Sequence, residues 1–388
     1  MQELQGPKTQ MQHYRAGDEA AQMLPVSFEE WEDRAREILG AGPFGYVVGG
    51  AGAGDTMLAN REAFSRWRIR PRVCADISTR DLSVTIFGET YQVPFLLAPI
   101  GVLSILHRDA ERAPARAAAK FKVPYILSNV STVSLEDIAK EMGGAPRWFQ
   151  LYPPKAPELT RSFLERAEAA GYKAVVVTLD STMLGWREKD LRNGFLPFLS
   201  GEGMGNYFSD PEFKRMLKRP IAEDRQAAVD LALDQGNNSC FTWRELDQIR
   251  TMTKLPVVLK GVTHPADAEL AMEHGMDGVI VSNHGGRQLD GAIATLDALP
   301  EICEVVRRRV PVLMDSGIRR GADVLKALAL GATAVLVGRP YAYAMAVAGE
   351  SGVSEVIQNL TAEVEIQLGV SGHTKISEVD QSLIELNK

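Results

Sequence analysis

Eight short apolar runs, most of them followed by a segment with helical spacing, recur along this 388-residue chain and constrain its fold most strongly. Each run is apolar on both faces, which is typical of a strand buried in a parallel sheet. Alternation of such strands with amphipathic helices predicts an α/β fold, and eight repeats favour a closed (β/α)8 TIM barrel. A doubly wound open sheet is the alternative. The predicted strands are 95–98, 124–127, 148–151, 174–177, 256–259, 278–281, 311–314 and 334–337.

The segments around the barrel repeats complete a single predicted domain over residues 1–388. Residues 1–24 are expected to form a loosely held arm. Ser27, with Glu30 three residues later, predicts a capping box at the start of an N-terminal helix over 27–39. The intervening helices of the barrel are predicted at 109–121, 157–170, 265–274 and 320–330.

Two further segments depart from the repeat. No strand-like run occurs between residues 182 and 238, so a long loop after strand four is predicted there, on the catalytic face, where it could act as a lid. After strand eight, residues 341–368 have the spacing of a long helix. The last segment, 369–388, is polar and is expected to wrap a neighbouring molecule or to fray.

Composition excludes several classes of function. The formal net charge of −7 argues against nucleic acid and anionic membrane as partners. Cys74, Cys240 and Cys303 lie far apart without a CxxC pair, which indicates a reducing compartment and no zinc or iron–sulfur site. No apolar run approaches the roughly 20 residues that span a bilayer, and the polar first residues do not resemble a secretory signal. A cytoplasmic location is the default expectation.

The run Ser-Asn-His-Gly-Gly-Arg-Gln at 282–288 directly follows the predicted strand 278–281. His284 is the side-chain type best suited to proton transfer near neutral pH, and Arg287 can bind a carboxylate or phosphate through two parallel hydrogen bonds. Taken alone, the run could be a structured surface loop. Active sites of parallel barrels lie at the C-terminal ends of the strands, which is where this run falls.

Polar residues also follow the other predicted strands, so one rim of the barrel is expected to carry a functional site. The turn 99–101 after strand one is small and rich in backbone groups, and it can serve as a platform for a flat ring. Gln150 and Tyr152 are two residues apart and therefore share a face of strand three. The remaining polar residues at strand ends are Ser128, Asn129, Thr178, Asp180, Lys260, Asp315, Ser316 and, shortly after strand four, Arg187.

The last two strand ends indicate a phosphate site. Gly317 and Gly338 expose backbone N–H groups, and Arg319 and Arg339 add positive charge. Loops after strands seven and eight commonly bind phosphate in such barrels, and backbone donors with guanidinium groups suit a phosphate monoester.

Lys260 and Gln150 are placed to meet the polar edge of a ring held above that phosphate. A lysine beside N1 and the C2 carbonyl of a flavin would stabilise the reduced, anionic ring. The alternative for Lys260 alone is a buried ion pair with a purely structural role.

The glycine-rich stretch at 44–55 is not interpreted as a dinucleotide site. That fingerprint requires a preceding strand inside a βαβ unit, and here a helix precedes it without an intervening strand-like run. Tyr46 stays a candidate, because a tyrosine beside glycines can reach a pocket; packing in the core is its alternative.

The motif at 282–288, together with Asp315-x-Gly317-x-Arg319 and Gly338-Arg339, resembles the FMN-dependent α-hydroxy acid oxidase and dehydrogenase family. The resemblance extends from about residue 28 to 368. It implies a (β/α)8 barrel that binds FMN at its C-terminal face. It further implies that His284 is the catalytic base, that Asp180 stabilises its protonated form, and that Tyr152 bonds the substrate hydroxyl. The side chains that it places around the substrate are Tyr46, Tyr152, Arg187 and Arg287.

The resemblance also assigns the cofactor contacts, residue by residue. None of them is a metal ligand. The residues that would hold FMN are Pro99, Ile100, Gly101, Ser128, Gln150, Thr178, Lys260, Ser282, Asp315, Gly317, Arg319, Gly338 and Arg339.

Within the family, the turn at 99–104 and the long segment after Arg187 are most similar to members that oxidise lactate and decarboxylate the product. Ser316, where glycolate-oxidising members often have glycine, favours lactate as well. The expected reaction is oxidation of L-lactate by O2 to acetate, CO2 and water; the alternative releases pyruvate and hydrogen peroxide. A homo-oligomer, tetramer or octamer, is expected. A catalytically idle FMN- or phosphate-binding scaffold and a dehydrogenase that reduces a quinone are alternatives of other classes.

Overall fold

Each apolar run that predicts a strand forms one in the structure, a computed structural model that describes residues 5–17 and 23–387. The strands in chain order are β1 (Trp67–Ile69), β2 (Val84–Ile86), β3 (Glu89–Tyr91), β4 (Phe95–Leu97), β5 (Tyr125–Ser128), β6 (Arg147–Leu151), β7 (Val175–Thr178), β8 (Val257–Val262), β9 (Gly278–Val281), β10 (Val312–Met314), β11 (Ala334–Val337) and β12 (Ile384–Leu386).

Strands β4 to β11 form one closed parallel barrel in chain order, with β11 paired to β4. The predicted (β/α)8 barrel is therefore confirmed, and the open sheet is excluded. Both faces of these strands are buried, as in β5, β7 and β9, because one face fills the barrel interior and the other packs on helices. The hairpin of β2 and β3 lies at the N-terminal end, where Tyr91 accepts a hydrogen bond from Nε1 of Trp148 at 3.3 Å.

Helices surround this barrel and close its two ends. Helix α2 begins with the predicted capping box, in which Ser27 and Glu30 each bond the backbone N–H of the other at 3.3 Å. The helices are α1 (Gln5–Ala16), α2 (Phe28–Ile38), α3 (Ala41–Val48), α4 (Asp55–Arg66), α5 (Arg112–Phe121), α6 (Leu135–Met142), α7 (Pro157–Ala169), α8 (Glu188–Asn193), α9 (Gly205–Ser209), α10 (Pro211–Met216), α11 (Arg225–Gly236), α12 (Trp243–Met252), α13 (Pro265–Glu273), α14 (Thr295–Val306), α15 (Gly321–Ala329) and α16 (Arg339–Val370). None of the helices in the described part of the chain is long and apolar enough to cross a bilayer.

The N-terminal arm is not loosely held where the structure describes it. Helix α1 packs on α16, and the backbone N–H groups of Gln5 and Gly6 donate to Oε2 of Glu365 at 2.8 and 2.9 Å. A carboxylate is favourable at a helix N-terminus, because the first N–H groups lack partners within the helix. The rest of the predicted arm, 1–4 and 18–22, lies outside the described residues.

The prediction of a long loop at 182–238 is wrong in its secondary structure. The segment forms α8 to α11 and a 3-10 helix at Pro197–Ser200, and it covers the C-terminal face of the barrel as expected. Asp210 caps α10 by accepting from the N–H groups of Glu212 and Phe213 at 2.8 and 3.0 Å. These helices are mostly too short to show the apolar periodicity by which a helix is recognised in a sequence.

The long C-terminal helix is confirmed over the predicted range but it is broken. Helix α16 has non-helical backbone angles at Ala348 and Gly349. Gly349 has φ +56, and a Cβ there would lie 2.9 Å from Cε1 of His107. Only glycine allows both this backbone conformation and this close approach.

The polar C-terminal tail also departs from its prediction. In the described residues up to 387 it folds back on its own chain, where β12 pairs antiparallel with β1 and Ile384 lies opposite Ile69. Leu383 and Ile384 are buried, so this part does not fray.

Candidate active site

The predicted site residues converge at the C-terminal end of the barrel, around a cavity of about 530 Å³. Five of them do not line the cavity but lie at or just after the C-terminal ends of barrel strands: Ser128, Gln150, Thr178, Asp180 and Ser282. The predicted residues that line the cavity are Tyr46, Pro99, Ile100, Gly101, Tyr152, Arg187, Lys260, His284, Arg287, Asp315, Gly317, Arg319, Gly338 and Arg339.

His284 stands between a carboxylate and a phenol. Its Nδ1 lies 2.8 Å from Oδ1 of Asp180, and its Nε2 lies 3.3 Å from the hydroxyl of Tyr152. A carboxylate on Nδ1 fixes the tautomer and leaves Nε2 free to accept a proton from the cavity. The backbone of His284 has φ +57, a strained conformation for a residue other than glycine, and strain of this kind is concentrated at functional sites.

The electrostatics of this group favour a neutral imidazole in the free protein. Burial lowers the pKa of His284, and Lys260 adds to this effect, whereas Asp180 opposes it. Burial raises the pKa of Asp180, but the charges of His284 and Lys260 outweigh burial and lower it overall. Burial raises the pKa of Tyr152, so its hydroxyl stays protonated. The arrangement is that of a general base ready to take a proton.

The pH dependence of kcat/KM is expected to report this base. Because protonated His284 cannot accept a proton, kcat/KM should fall as the pH decreases through a pKa below 6.5, the ordinary value for histidine. Since Asp180 raises the pKa of His284, Asp180→Asn should move this acidic limb to still lower pH. The measurement is kcat/KM against pH for both proteins; an upward shift in the variant contradicts the pairing.

An anion pocket adjoins the histidine. The guanidinium groups of Arg187 and Arg287 lie 5.8 and 4.8 Å from the centre of the Tyr46 ring. Gln288 holds Arg187 through a 2.7 Å hydrogen bond from Nη2, and Nη1 of Arg287 donates to the carbonyl of Gly49 at 2.9 Å. Two buried guanidinium groups that mainly contact neutral acceptors are suited to a carboxylate ligand.

Lys260 lies in β8 and lines the same cavity. Its Nζ donates to Oγ of Ser282 at 2.9 Å and lies 3.2 Å from Oδ2 of Asp315. Burial lowers the pKa of Lys260, but Asp315 and Asp180 more than compensate, so the pKa is raised and the charge is retained. The ion pair that was the structural alternative is therefore present, and the ammonium also reaches the cavity.

Two further guanidinium groups, those of Arg319 and Arg339, also line the cavity. Arg339 begins α16, and its guanidinium bonds the carbonyls of Val47, Gly49 and Gly285 at 2.9 to 3.0 Å. The guanidinium of Arg319 lies 4.2 Å from the ring centre of Phe28. Burial, with the charge of Arg339, lowers the pKa of Arg319 to about 9. Such a pair of buried cations requires an anion of high charge, such as a phosphate.

Several buried polar atoms have no hydrogen-bond partner among the described residues, and they test whether FMN fits. Nε2 of Gln150, Oγ1 of Thr178 and Nε of Arg319 are of this kind, and all three belong to predicted FMN contacts. Unsatisfied buried polar groups are rare and call for an explanation such as a bound ligand. The amide of Gln150 and the ammonium of Lys260 suit the polar edge of the FMN ring, and the guanidinium groups of Arg319 and Arg339 suit its phosphate.

The sequence did not predict which residues fix the predicted ones in place, although Ser316 was noted there as a polar residue at a strand end. Oγ of Ser181 lies 3.1 Å from Nδ1 of His284, and Oγ of Ser316 accepts from the N–H of Gly285 at 2.9 Å. Gln288 and Phe28 hold the two arginines described above. Gln288 stands within the recognised motif, whereas contact of Phe28 with Arg319 joins distant parts of the chain and has no local signal.

The glycine-rich stretch serves this site without being a nucleotide fingerprint. Helix α2 precedes it, as predicted, and the first residues of the stretch form the end of α3, which contains Tyr46. The N–H of Ala51 donates to the carbonyl of Gly286, and the N–H of Gly52 donates to that of Trp186, both at 2.8 Å. The stretch thus joins α3 to the motif at 282–288.

Comparison with known proteins gives the family. Residues 35–386 match the sequence profile described as FMN-dependent dehydrogenase. The chain belongs to this family. Membership identifies FMN as the cofactor, and it confirms the resemblance based on the motifs.

Relatives of this family member cover nearly its whole length. An L-lactate oxidase from Lysinibacillus sphaericus is 44% identical over 353 residues, 91% of each chain. An L-lactate oxidase from Nostoc sp. is 41% identical over 366 residues, 93% of this chain and 98% of the relative. A crystal structure of mandelate oxidase with (S)-4-hydroxymandelic acid superposes with a TM-score of 0.83 at 37% identity, over 93% of this chain and 99% of that one.

Proposed function

We propose that this protein oxidises L-lactate with O2 and converts the product to acetate, CO2 and water, as a lactate 2-monooxygenase. The observation that carries the oxidation is the presence of His284, the arginine pair and Lys260 in the lining of one cavity, with Nδ1 of His284 held by Asp180. A carboxylate on the arginines would place the adjacent carbinol carbon beside Nε2 of the base. The relatives that are named for L-lactate support lactate as the substrate.

The roles of the residues follow from these contacts. Arg187, Arg287 and Tyr46 bind the substrate carboxylate and thereby orient the carbinol carbon. Tyr152 hydrogen-bonds the substrate hydroxyl, and His284 accepts a proton at Nε2. Asp180, on Nδ1, stabilises the imidazolium that results.

The remaining predicted residues hold the cofactor. Lys260 and Gln150 would contact the polar edge of the ring, and Arg319 and Arg339 would bind the phosphate. The turn 99–101 supplies the platform, and the other predicted contacts line or support the same wall. When bound, FMN supplies the two-electron acceptor and the reaction with O2.

The helical segment at 182–238 supports the monooxygenase outcome. Phe198, Met204, Tyr207 and Leu233 of this segment line the cavity and cover the site. If pyruvate and hydrogen peroxide are retained together, they react to acetate, CO2 and water. The rate at which the segment lets pyruvate leave would therefore decide the product.

An L-lactate oxidase is the second candidate. The relative at 44% identity carries that name, and an oxidase needs the same catalytic residues. The two functions differ only in whether pyruvate leaves before it is decarboxylated.

Product analysis in air with excess catalase separates the two candidates. Catalase destroys hydrogen peroxide that reaches the solution, so decarboxylation can then occur only inside the protein. We expect acetate as the main carbon product from L-lactate, with or without catalase. Pyruvate as the main product in the presence of catalase would contradict the monooxygenase and leave the oxidase.

Three finer predictions accompany this proposal. The protein is a tetramer or octamer, which light scattering on the purified protein tests; a monomeric mass contradicts it. Its location is cytoplasmic, which microscopy of the tagged protein tests. Oxygen is the acceptor, so the reduced protein should regain its flavin absorbance in air without a quinone.

A further inference from the structure

Asp190 is a carboxylate that the proposed mechanism does not use, although it lies beside the arginine pair. It stands in the first turns of α8, and its Oδ2 lies 3.9 Å from Nη1 of Arg187. Its side chain is only 11% exposed. Its Oδ1 is buried and makes no hydrogen bond to any residue in the described part of the chain. A buried carboxylate of this kind requires a compensating charge.

The compensating charge comes from the two guanidinium groups of the anion pocket. Burial raises the pKa of Asp190, and the charges of Arg287 and Arg187 reduce this effect only in part. Burial and the charge of Arg187 lower the pKa of Arg287 to about 9, while Asp190 acts in the opposite direction. The hydrogen bonds of both arginines go to neutral acceptors, namely Gln288 and backbone carbonyls. Among the described residues, the ion pair of Arg187 with Asp190 is the only one that either arginine forms.

The net charge of the pocket suits a ligand that carries one negative charge. The guanidinium groups of Arg187 and Arg287 carry two positive charges, and Asp190 cancels one of them. A third guanidinium, that of Arg339, bonds the same Gly49 carbonyl as Arg287, and its charge is assigned to the phosphate of FMN. Lys260 is not available to the substrate charge, because Asp315 pairs with it at 3.2 Å. A monocarboxylate therefore neutralises the pocket, whereas a dicarboxylate leaves an excess negative charge in a buried space.

We propose that Asp190 determines specificity by substrate charge: it restricts the cavity to monoanionic 2-hydroxy acids by cancelling one guanidinium charge. This inference rests on the proposed function, since it takes the arginine pair as the carboxylate site. It goes further in excluding acids with a second carboxylate, such as L-malate, for reasons of charge.

The test compares two anions that the protein is not expected to oxidise, D-lactate with one charge and malonate with two. Each is titrated into the FMN-loaded protein at about pH 8, where both are fully ionised, and the perturbation of the visible flavin spectrum gives Kd. Wild type should bind D-lactate more tightly than malonate. In Asp190→Asn the ratio of Kd for malonate to Kd for D-lactate should fall by at least about tenfold. The reason is that the variant removes a buried unit charge close to the bound anion.

Two control variants separate charge from structure. Glu188→Gln removes an exposed carboxylate from the same helix and should leave both Kd values unchanged. Asp190→Glu keeps the charge and should keep the preference for D-lactate. The proposal would be overturned if Asp190→Asn changed Kd for D-lactate and Kd for malonate by the same factor. It would also be overturned if Asp190→Glu bound malonate more tightly than wild type does.

The proposal stays testable if Asp190→Asn does not fold. Asp190→Ser then serves as the neutral variant, and tighter binding of malonate than of D-lactate by wild type would by itself overturn the proposal. Neither ligand turns over, so the result does not depend on whether pyruvate is decarboxylated. If neither anion perturbed the flavin, the assignment of the arginine pair to substrate would be contradicted first, and this proposal with it.

Discussion

Replacing His284 by glutamine should leave FMN bound and slow the reduction of the flavin by L-lactate by about 10²- to 10⁴-fold, the contribution of a positioned general base. Glutamine fills a similar volume but cannot take up a proton. The side chain of His284 bonds Asp180, Ser181 and Tyr152 and not Arg319 or Arg339, the proposed phosphate ligands, so FMN should keep its affinity. The measurement is stopped-flow absorbance after anaerobic mixing, with Kd for FMN from fluorescence quenching.

The chain offers a matched control for this variant. His274 also pairs with a carboxylate, at 2.6 Å from Asp247, but it lies outside the cavity. L-Lactate should therefore reduce the flavin of His274→Gln at the wild-type rate. Rapid bleaching of the His284→Gln flavin by L-lactate would refute the assignment of the base.

Replacing Lys260 by methionine should destabilise the apoprotein by about 3 to 5 kcal/mol, because it leaves a buried carboxylate without its cation. Lys260 and Asp315 are both nearly inaccessible to solvent, at 4% and 7% exposure, and their charges lie 3.2 Å apart. The free energy of unfolding in urea tests this expectation. The FMN-loaded variant should also be reduced more slowly, since the ammonium no longer stabilises the reduced ring.

A double variant separates loss of the charge balance from loss of packing. Lys260→Met with Asp315→Asn removes both charges and should recover a large part of the lost stability. The control Lys155→Met breaks an exposed pair with Asp234 and should cost at most about 1 kcal/mol. Equal destabilisation by Lys260→Met alone and by the double variant would show that the ion pair is not what the lysine supports.

The barrel could be predicted from the sequence because its signal is local. Each strand is apolar on both faces, and helix α2 carries its capping box within four residues. The segments that the sequence did not predict are held by distant partners. Helix α1 is anchored by Glu365, and β12 pairs with β1 across more than 300 residues. Such contacts leave no pattern in the sequence of the segment itself. The arm and the tail were therefore predicted to be loosely held polar segments.

The site residues also divide into those with a local signal in the sequence and those that depend on distant contacts. Placement of polar residues directly after strands predicted which side chains meet, and the resemblance supplied their roles. Residues that act through a contact made in space were missed, among them Ser181 on the histidine and Phe28 under Arg319. Asp190 shows most clearly what the sequence cannot predict. Its proposed role depends on the charged groups around it in space and not on its neighbours along the chain.

The central claim is that FMN and a 2-hydroxy acid meet in the one cavity that holds the base, the arginine pair and the lysine. Anaerobic titration of the FMN-loaded protein with L-lactate tests it most directly, with D-lactate as the matched control. We expect the visible absorbance of the flavin to be lost with L-lactate and to persist with D-lactate. Full flavin absorbance after addition of L-lactate and other L-2-hydroxy acids, in protein that has taken up FMN, would contradict the claim.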